Sequence, residues 1–397
     1  MKARAAVAYG VGLIAFLCLG LWLGAHPAKL PGFVRDRLRG STGSLSAEAA
    51  EVLEDNYYRP VGPTELGNSS LQGMVRELRR RHKEDRFTEY FSPESLESFN
   101  QQIEGHFSGV GISVVPVKRG LRAVTVFPGS PAARAGIEVG DTIVSVDGKS
   151  IAGTSSNEAT EKIKGPEGTE VTLGVLGAKS GKVKRLRVTR AEVALPNVSS
   201  KVVEVNGHKL GYVRMLSFSE GVHAQLEAAI RKVRREGAEG TVLDLRGNPG
   251  GLLDEAVLSA GIFLPADEVV VSTDSRTQGH SVHKTVGGNL PKQPLVVLID
   301  RNTASAAEIL AAALADDAGA TVVGTRSYGK GVFQEEKNLA NGGALKLTVG
   351  EYFTPTGVNL ARSHGIHPDV KVADNPETPA DEGKERALGV LAGRVEG

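Results

Sequence analysis

Cysteine is nearly absent: the 397-residue chain has one, Cys18, set inside an apolar run. No internal disulfide can form, no cysteine-rich zinc site can be assembled, and a cysteine nucleophile is excluded. An excess of charge of either sign is absent too. Lys+Arg 47 against Asp+Glu 46 leaves a net charge of +1, so composition supplies no bulk attraction to nucleic acid or anionic lipid. Aromatics are sparse at 5%, whereas glycine is plentiful; 49 glycines imply many tight turns and close backbone approaches. With 40% hydrophobic and 23% charged residues, the composition is that of a globular protein, neither disordered nor fibrous. The length accommodates about two or three domains.

The stretch from Ala5 to Ala25 carries no charge and includes VGLIAFLCLGLWLG, with Lys2 and Arg4 ahead of it. That pattern predicts export, and the run is long enough to span a bilayer core of roughly 30 Å as a helix. A signal anchor is favoured over a cleaved signal peptide, because the apolar part exceeds a usual signal core. Lys29, Arg35, Arg37 and Arg39 follow it, so the flanking charges do not fix orientation. Leu17 just before Cys18 argues against a lipoprotein cleavage site. Residues 26–42 read as a polar tether.

Residues 43–106 have helical spacing in SLSAEAAEVLEDNYY, LQGMVRELRRRHKED and SPESLESFNQQIEG. From Phe107 to Arg190 the texture changes to short strands and turns, interrupted by two helical pieces, SPAARAG and NEATEKIKG. From residue 191 to 392 strands alternate with helices. GTVLDL precedes a Gly-rich turn and LLDEAVLSAGIFL; PLVVLID precedes ASAAEILAAALADD, and ATVVG follows. Such alternation predicts a βα-layered domain on a largely parallel sheet, giving an α+β and α/β multidomain chain.

Ser305 falls between the strand PLVVLID and the alanine-rich helix. A helix N-terminus presents unpaired N–H groups and a partial positive charge that stabilise an anion formed there. The N–H of Ala306 is placed to donate to the oxyanion of a tetrahedral intermediate. By position alone Ser305 reads more readily as a helix cap than as a nucleophile. A serine nucleophile needs a base, and none of the nine histidines stands in a recognisable triad setting. Lys330 follows the next strand within TRSYGKGVFQ, and a βαβ unit opens both loops at one sheet edge. A lysine in apolar surroundings loses its proton more readily and can act as a base. Gln334, four residues on, is spaced to orient the amine. In the turn RGNPGG, Gly250, with Gly251 as the second choice, is the candidate for the other oxyanion donor.

These pieces together resemble the C-terminal processing peptidases, or tail-specific proteases, over residues 44 to 392. The matching segments are GVGISV, SPAARAGIEVGDTIVSVDGKSI, GYVRMLSFSE, LDLRGNPGGLL, RNTASAAEIL, GTRSYGKGVFQ, and YFTPTG with GIHPDV. The resemblance implies a ClpP/crotonase-like protease core with an inserted PDZ domain and an N-terminal helical region. It implies Ser305 as nucleophile, Lys330 as general base, Gln334 as orienting partner, and oxyanion donation from Ala306 and the RGNPGG turn. Val358 departs from the pattern, since many members carry a basic residue there. Residues 107–190 resemble a PDZ domain of the circularly permuted bacterial type. Its GVGIS turn, through Gly109, Val110, Gly111 and Ile112, would take a terminal carboxylate while the peptide adds as a strand. The implied partners are protein or peptide substrates with accessible C-termini; a regulatory adaptor and a homo-oligomer are compatible with the family. The expected setting is the cell envelope or periplasm, with the N-terminal segment in the inner membrane. No cofactor, metal or nucleic acid is expected.

Three other readings compete with this one. GTRSYGKG approaches a phosphate-binding P-loop, but Gly331 stands where a magnesium-binding hydroxyl is required and VFQEE reads as extended. The pairs His280/His283 and His364/His367 lack a HExxH setting and read as surface histidines. A PDZ adaptor with a decayed protease core is opposed by the retention of Ser305, Lys330 and Gln334 together.

Overall fold

A computed structural model describes residues 43–396, apart from 195, 196, 289, 375–377 and 379. The expected export segment and tether lie outside the described residues. Among the described residues no helix is long and apolar enough to cross a membrane. The chain divides into two compact units, Met1–Tyr90 and Phe91–Gly397.

In the first unit, α1 (Gly43–Asn56) is followed by α2 (Pro63–Arg81). Pro63 opens α2, where its missing N–H costs nothing, and Glu65 sits in the first turn against the positive end of the helix dipole. Arg79, Arg80 and Arg81 crowd the last turn, which suits its negative end. A short strand, β1 (Glu89–Phe91), runs across the boundary between the units.

The second unit opens with α3 (Pro93–Glu104), which ends on Gly105 in the left-handed conformation at φ 72°. β2 (His106–Gly109) then leads into a β-rich module. That module contains β3 (Ile112–Val117), β4 (Gly120–Val126), α4 (Pro131–Arg134), β5 (Thr142–Val146), β6 (Lys149–Ser150), α5 (Ser156–Ile163), β7 (Glu170–Leu176) and β8 (Val183–Thr189). The two helical pieces anticipated between the strands are α4 and α5. The sheet order is β3-β4-β5-β7-β8, so β3 is an edge strand. Leu121, Ile143, Ile151, Val171 and Leu173 form a core separate from the rest of the unit. β9 (Ala191–Ala194) pairs antiparallel with β2, joining the two ends of the module in one ribbon.

A six-stranded sheet carries the remainder. Its order is β10 (Val198–Val205), β11 (His208–Met215), β12 (Gly240–Asp244), β15 (Leu295–Ile299), β16 (Thr321–Gly324) and β19 (Val370–Lys371). All neighbours from β11 onward are parallel, as the strand–helix alternation predicts. Side chains alternate faces along each strand. Val213, Leu243, Val297 and Val322 face a core shared with α6 (Val222–Arg235), α7 (Leu253–Ala260) and α8 (Ala306–Asp316). Tyr212, Val242, Val296, Leu298 and Val323 face the other way, onto Ala387, Leu388 and Leu391 of α9 (Glu382–Glu396). Both faces are therefore covered, which explains the unbroken hydrophobic run of β15 and the complete burial of β12. Beside this sheet, β13 (Val269–Ser275) pairs with β14 (Gly279–Lys284) and β18 (Ala344–Phe353), and β17 (Val332–Asn338) pairs with β18.

Candidate active site

β12, β15 and β16 are adjacent and parallel, so the turns that follow them open at one sheet edge. The C-terminal edge of a parallel sheet is where such folds place ligands. Each turn carries one of the sequence candidates, and four polar side chains, three of them buried, hold the turns together.

Asn248 is fully buried in the turn after β12. Its amide donates to the Met215 carbonyl at 3.1 Å, its own carbonyl accepts the Ala304 N–H at 3.0 Å, and its Oδ1 accepts the Gly250 N–H at 2.9 Å. Asp300, at the end of β15, accepts the N–H of Gly247 at 2.9 Å and those of Asn302 and Thr303 at 3.0 Å. Thr303 Oγ1 donates to the Leu245 carbonyl at 2.9 Å. The RGNPGG turn and the turn ahead of Ser305 thus form one hydrogen-bonded body.

Glu308 connects this body to the third turn. It lies in the first turn of α8 and is fully buried. Its carboxylate accepts the Ser305 N–H at 2.9 Å and the Lys330 N–H at 3.0 Å on Oε2, and the Gly329 N–H at 2.7 Å and Ser327 Oγ at 2.5 Å on Oε1. The main-chain nitrogens of Ser305 and Lys330 therefore lie within two hydrogen-bond lengths of each other. Burial pushes the Glu308 carboxyl above its usual range, and the four donors pull it back only in part.

Ser305 itself is half-buried and has φ 56° and ψ −123°, outside the regions open to a residue with a Cβ. Holding a non-glycine residue there costs about 1–3 kcal/mol and persists only where the surroundings impose it. Serine nucleophiles on sharp strand-to-helix turns have this character. The N–H of Ala306, the first helical residue, has no acceptor among the described residues. Gly250 faces it at φ 94°. A Cβ built on Gly250 would stand 2.8 Å from the Ser305 Cβ and 2.9 Å from the Ala306 nitrogen. Glycine here keeps open the space in front of a free helix-terminal N–H.

The other candidates are placed as follows. Lys330 is half-buried in the loop between β16 and β17. Gln334, on β17, donates from Nε2 to Thr348 Oγ1 on β18 at 3.3 Å. Gly109 pairs with Ala191 in the ribbon; Val110 is buried, with its carbonyl accepting the Ala132 N–H; Gly111 has φ 81°; and Ile112 begins the edge strand β3. Val332 onward is strand, so no helix follows Lys330 and the P-loop reading fails. His280 meets Asp274 at 2.7 Å on the surface, and His367 meets the Ser363 carbonyl. Among the described residues no group of three or more His, Cys, Asp or Glu is arranged to hold a metal.

Comparison with known proteins decides the class of this site. Residues 209–372 match peptidase family S41, and residues 123–177 match the PDZ domain. A carboxyl-terminal-processing protease of Picosynechococcus sp. is 37% identical over 77% of this chain and 74% of its own length. Carboxy-terminal processing protease CtpA of Bacillus subtilis is 33% identical over 82% of this chain and 67% of its own. The chain belongs to peptidase family S41. It is a serine peptidase with a PDZ domain. Among solved structures, the photosystem II D1 C-terminal processing protease is similar at 28% identity and a TM-score of 0.50, covering 88% of this chain and 98% of that one. The expected βα-layered peptidase core with a PDZ domain is borne out.

Several side chains of this peptidase site escaped sequence reading. Glu308 was visible only as the fourth residue of SAAE, a spacing that suggests a reciprocal helix cap. Tyr352, on β18, is buried, and burial, then the charge of Glu308, push its pKa well up; the nearby Ser305 hydroxyl opposes them. Its hydroxyl nevertheless has no partner at full hydrogen-bond geometry. No local signal pointed to it, because β18 is far from Ser305 in the chain.

Proposed function

We propose that this peptidase cleaves exported proteins near their C-termini with a Ser305–Lys330 dyad. Ser305 attacks the scissile carbonyl, and the neutral amine of Lys330 takes its proton and returns it to the leaving amine. The strained Ser305 backbone, fastened through Glu308 to the Lys330 loop, is the observation that carries this reading. Gln334 orients the amine from β17, its own amide held by Thr348.

The Ala306 N–H supplies one oxyanion donor, at the positive end of α8. For the second, the Gly250 N–H is held on Asn248 Oδ1, whereas the Gly251 N–H has no acceptor among the described residues. The amide of the RGNPGG turn that needs no rearrangement is therefore that of Gly251.

The substrate class follows the names of the relatives, which process carboxy-termini. In the PDZ module the free edge of β3 suits a peptide tail adding as a strand, with the Gly109–Ile112 turn at its carboxylate. The module thereby recruits the substrate tail or gates the dyad. The apolar residues 5–25 anchor the chain in the inner membrane and the catalytic unit works outside the cytoplasm, where an adaptor or a second copy would regulate it.

The test is digestion of a denatured protein and of an apolar-tailed peptide. Wild type cleaves both, and Ser305→Ala and Lys330→Ala cleave neither. Equal digestion by wild type and Ser305→Ala would sink the assignment.

A further inference from the structure

Five cations of the N-terminal unit are gathered in one place. Arg76, Arg79 and Arg80 share a face of α2, and Lys83 and Arg86 follow in the turn that leaves it. With Asp85 and Glu89 they line a concavity of about 570 Å³, floored in part by Val75 and Tyr90. Arg80 is already held by Glu77, at 2.7 and 2.8 Å. Arg76, Arg79, Lys83 and Arg86 have no carboxylate partner among the described residues. Asp85 turns its Oδ1 to the N–H groups of Phe87 and Thr88, both at 3.1 Å.

Four cations without an ion pair repel one another around an opening they share with only two carboxylates, Asp85 and Glu89, and low-dielectric walls focus the net field outward. An anion relieves that repulsion. Arginine forks match phosphate oxygens in a bidentate manner, and three of the four cations are arginines. The chain's own tail cannot serve, because residues 26–42 carry Lys29, Arg35, Arg37 and Arg39 against Asp36. That tail instead ties the unit to the apolar residues 5–25. Fully extended, it reaches at most about 60 Å, so anionic headgroups are the polyanion always within range. Cationic clusters beside a membrane segment have this use.

We infer that the concavity around Arg76, Arg79, Lys83 and Arg86 docks on anionic phospholipid headgroups and holds the N-terminal unit against the bilayer. The inference rests on the membrane anchoring proposed above. Each Lys or Arg at an anionic surface strengthens partition about fivefold, so four together contribute about a hundredfold or more. Salt near 1 M, with a screening length of about 3 Å, removes the effect.

The test is hydrogen exchange across residues 76–90 of the full-length protein, on vesicles of phosphatidylcholine alone or mixed equally with phosphatidylglycerol. Slower exchange on the mixed vesicles only, lost in high salt and in the combined Arg76→Gln, Arg79→Gln, Lys83→Gln and Arg86→Gln variant, supports docking. Equal exchange on both compositions overturns it. So does protection by soluble polyglutamate without protection by the mixed vesicles, which would mark a site for an acidic protein. The salt arm needs no substitution and stands even if the variant folds poorly. Anchoring is read separately, by flotation with pure phosphatidylcholine in high salt. If that fails, docking still appears as low-salt flotation with the mixed vesicles alone.

Discussion

Glu308 accepts the main-chain N–H of Ser305 at 2.9 Å from a fully buried position. This is one half of a reciprocal helix cap: the third helical residue holds the backbone of the residue that precedes the helix. Through the same carboxylate the Lys330 loop is fixed to Ser305, so one side chain sets the separation of the proposed nucleophile and base. A carboxylate is an acceptor only, which suits four converging donors. In Glu308→Gln, one amide nitrogen would face N–H groups. Activity should fall about a hundredfold, the scale of a displacement near 1 Å at a reacting centre. Measuring kcat and KM beside Tm checks this: the fall should lie in kcat, in a protein that still unfolds cooperatively.

Gly250 makes a sharper test of the oxyanion site. Gly250→Ala places a methyl 2.9 Å from the Ala306 nitrogen, in the space a tetrahedral oxygen would occupy, and at φ 94° it is strained as well. Loss of an oxyanion donor costs about 10²- to 10³-fold in kcat. Gly247→Ala is the control. It has φ 71° but nothing within 4 Å of a new Cβ, so it carries the strain without the obstruction. Kinetics of the two variants should differ by at least tenfold; equal losses would mean that strain alone is responsible.

The base is tested by Lys330→Arg. A guanidinium keeps its charge but cannot give up its proton at any pH a protein survives. If Lys330 acts as a neutral amine, the arginine variant is as inactive as Lys330→Ala. Wild-type kcat/KM should also rise from neutral toward alkaline pH. Substantial activity in Lys330→Arg, or a flat profile, would remove lysine from the role of base.

How far the sequence could be read depended on whether an interaction was local. The sheet was legible because strands alternate with helices and because β15, covered on both faces, reads as an uninterrupted apolar run. The turns after them were legible because Gly250 and Ser305 are chemically conspicuous residues at strand ends. Glu308 was half visible, as a cap spacing without its purpose. Asn248 and Asp300 were hidden, since their partners Met215, Ala304 and Gly247 lie in other strands and turns. Tyr352 was hidden for the same reason, being delivered to Ser305 by an antiparallel strand that no local pattern locates. The availability of the Gly250 amide was likewise unreadable, because it depends on the conformation of Asn248.

The last prediction concerns acid. Arg246, in the turn after β12, donates to Asp244 at 2.8 Å, to Asp381 at 2.7 Å and to Asp374 at 2.8 Å, linking the sheet to the approach of α9. For Asp381, burial raises the pKa, but hydrogen bonds from Arg246 and the Lys384 N–H outweigh it, and the net shift is below the ordinary 3.8. A carboxyl whose pKa is depressed by folding contributes stability that is present above its unfolded value and lost as pH falls through the folded one. The contribution is therefore intact at neutral pH and begins to be lost as pH falls below about 4. Leu391 and Ala387 still bury α9 against Val242 and Val296, so acid should loosen the start of the helix before its apolar face releases. Protection of residues 382–388 against hydrogen exchange, taken relative to the intrinsic rate at each pH, should fall below that pH in wild type. Asp381→Asn, which has no charge to lose, should exchange faster at neutral pH and respond less to acid. An identical pH response in both proteins would remove Asp381 from the account.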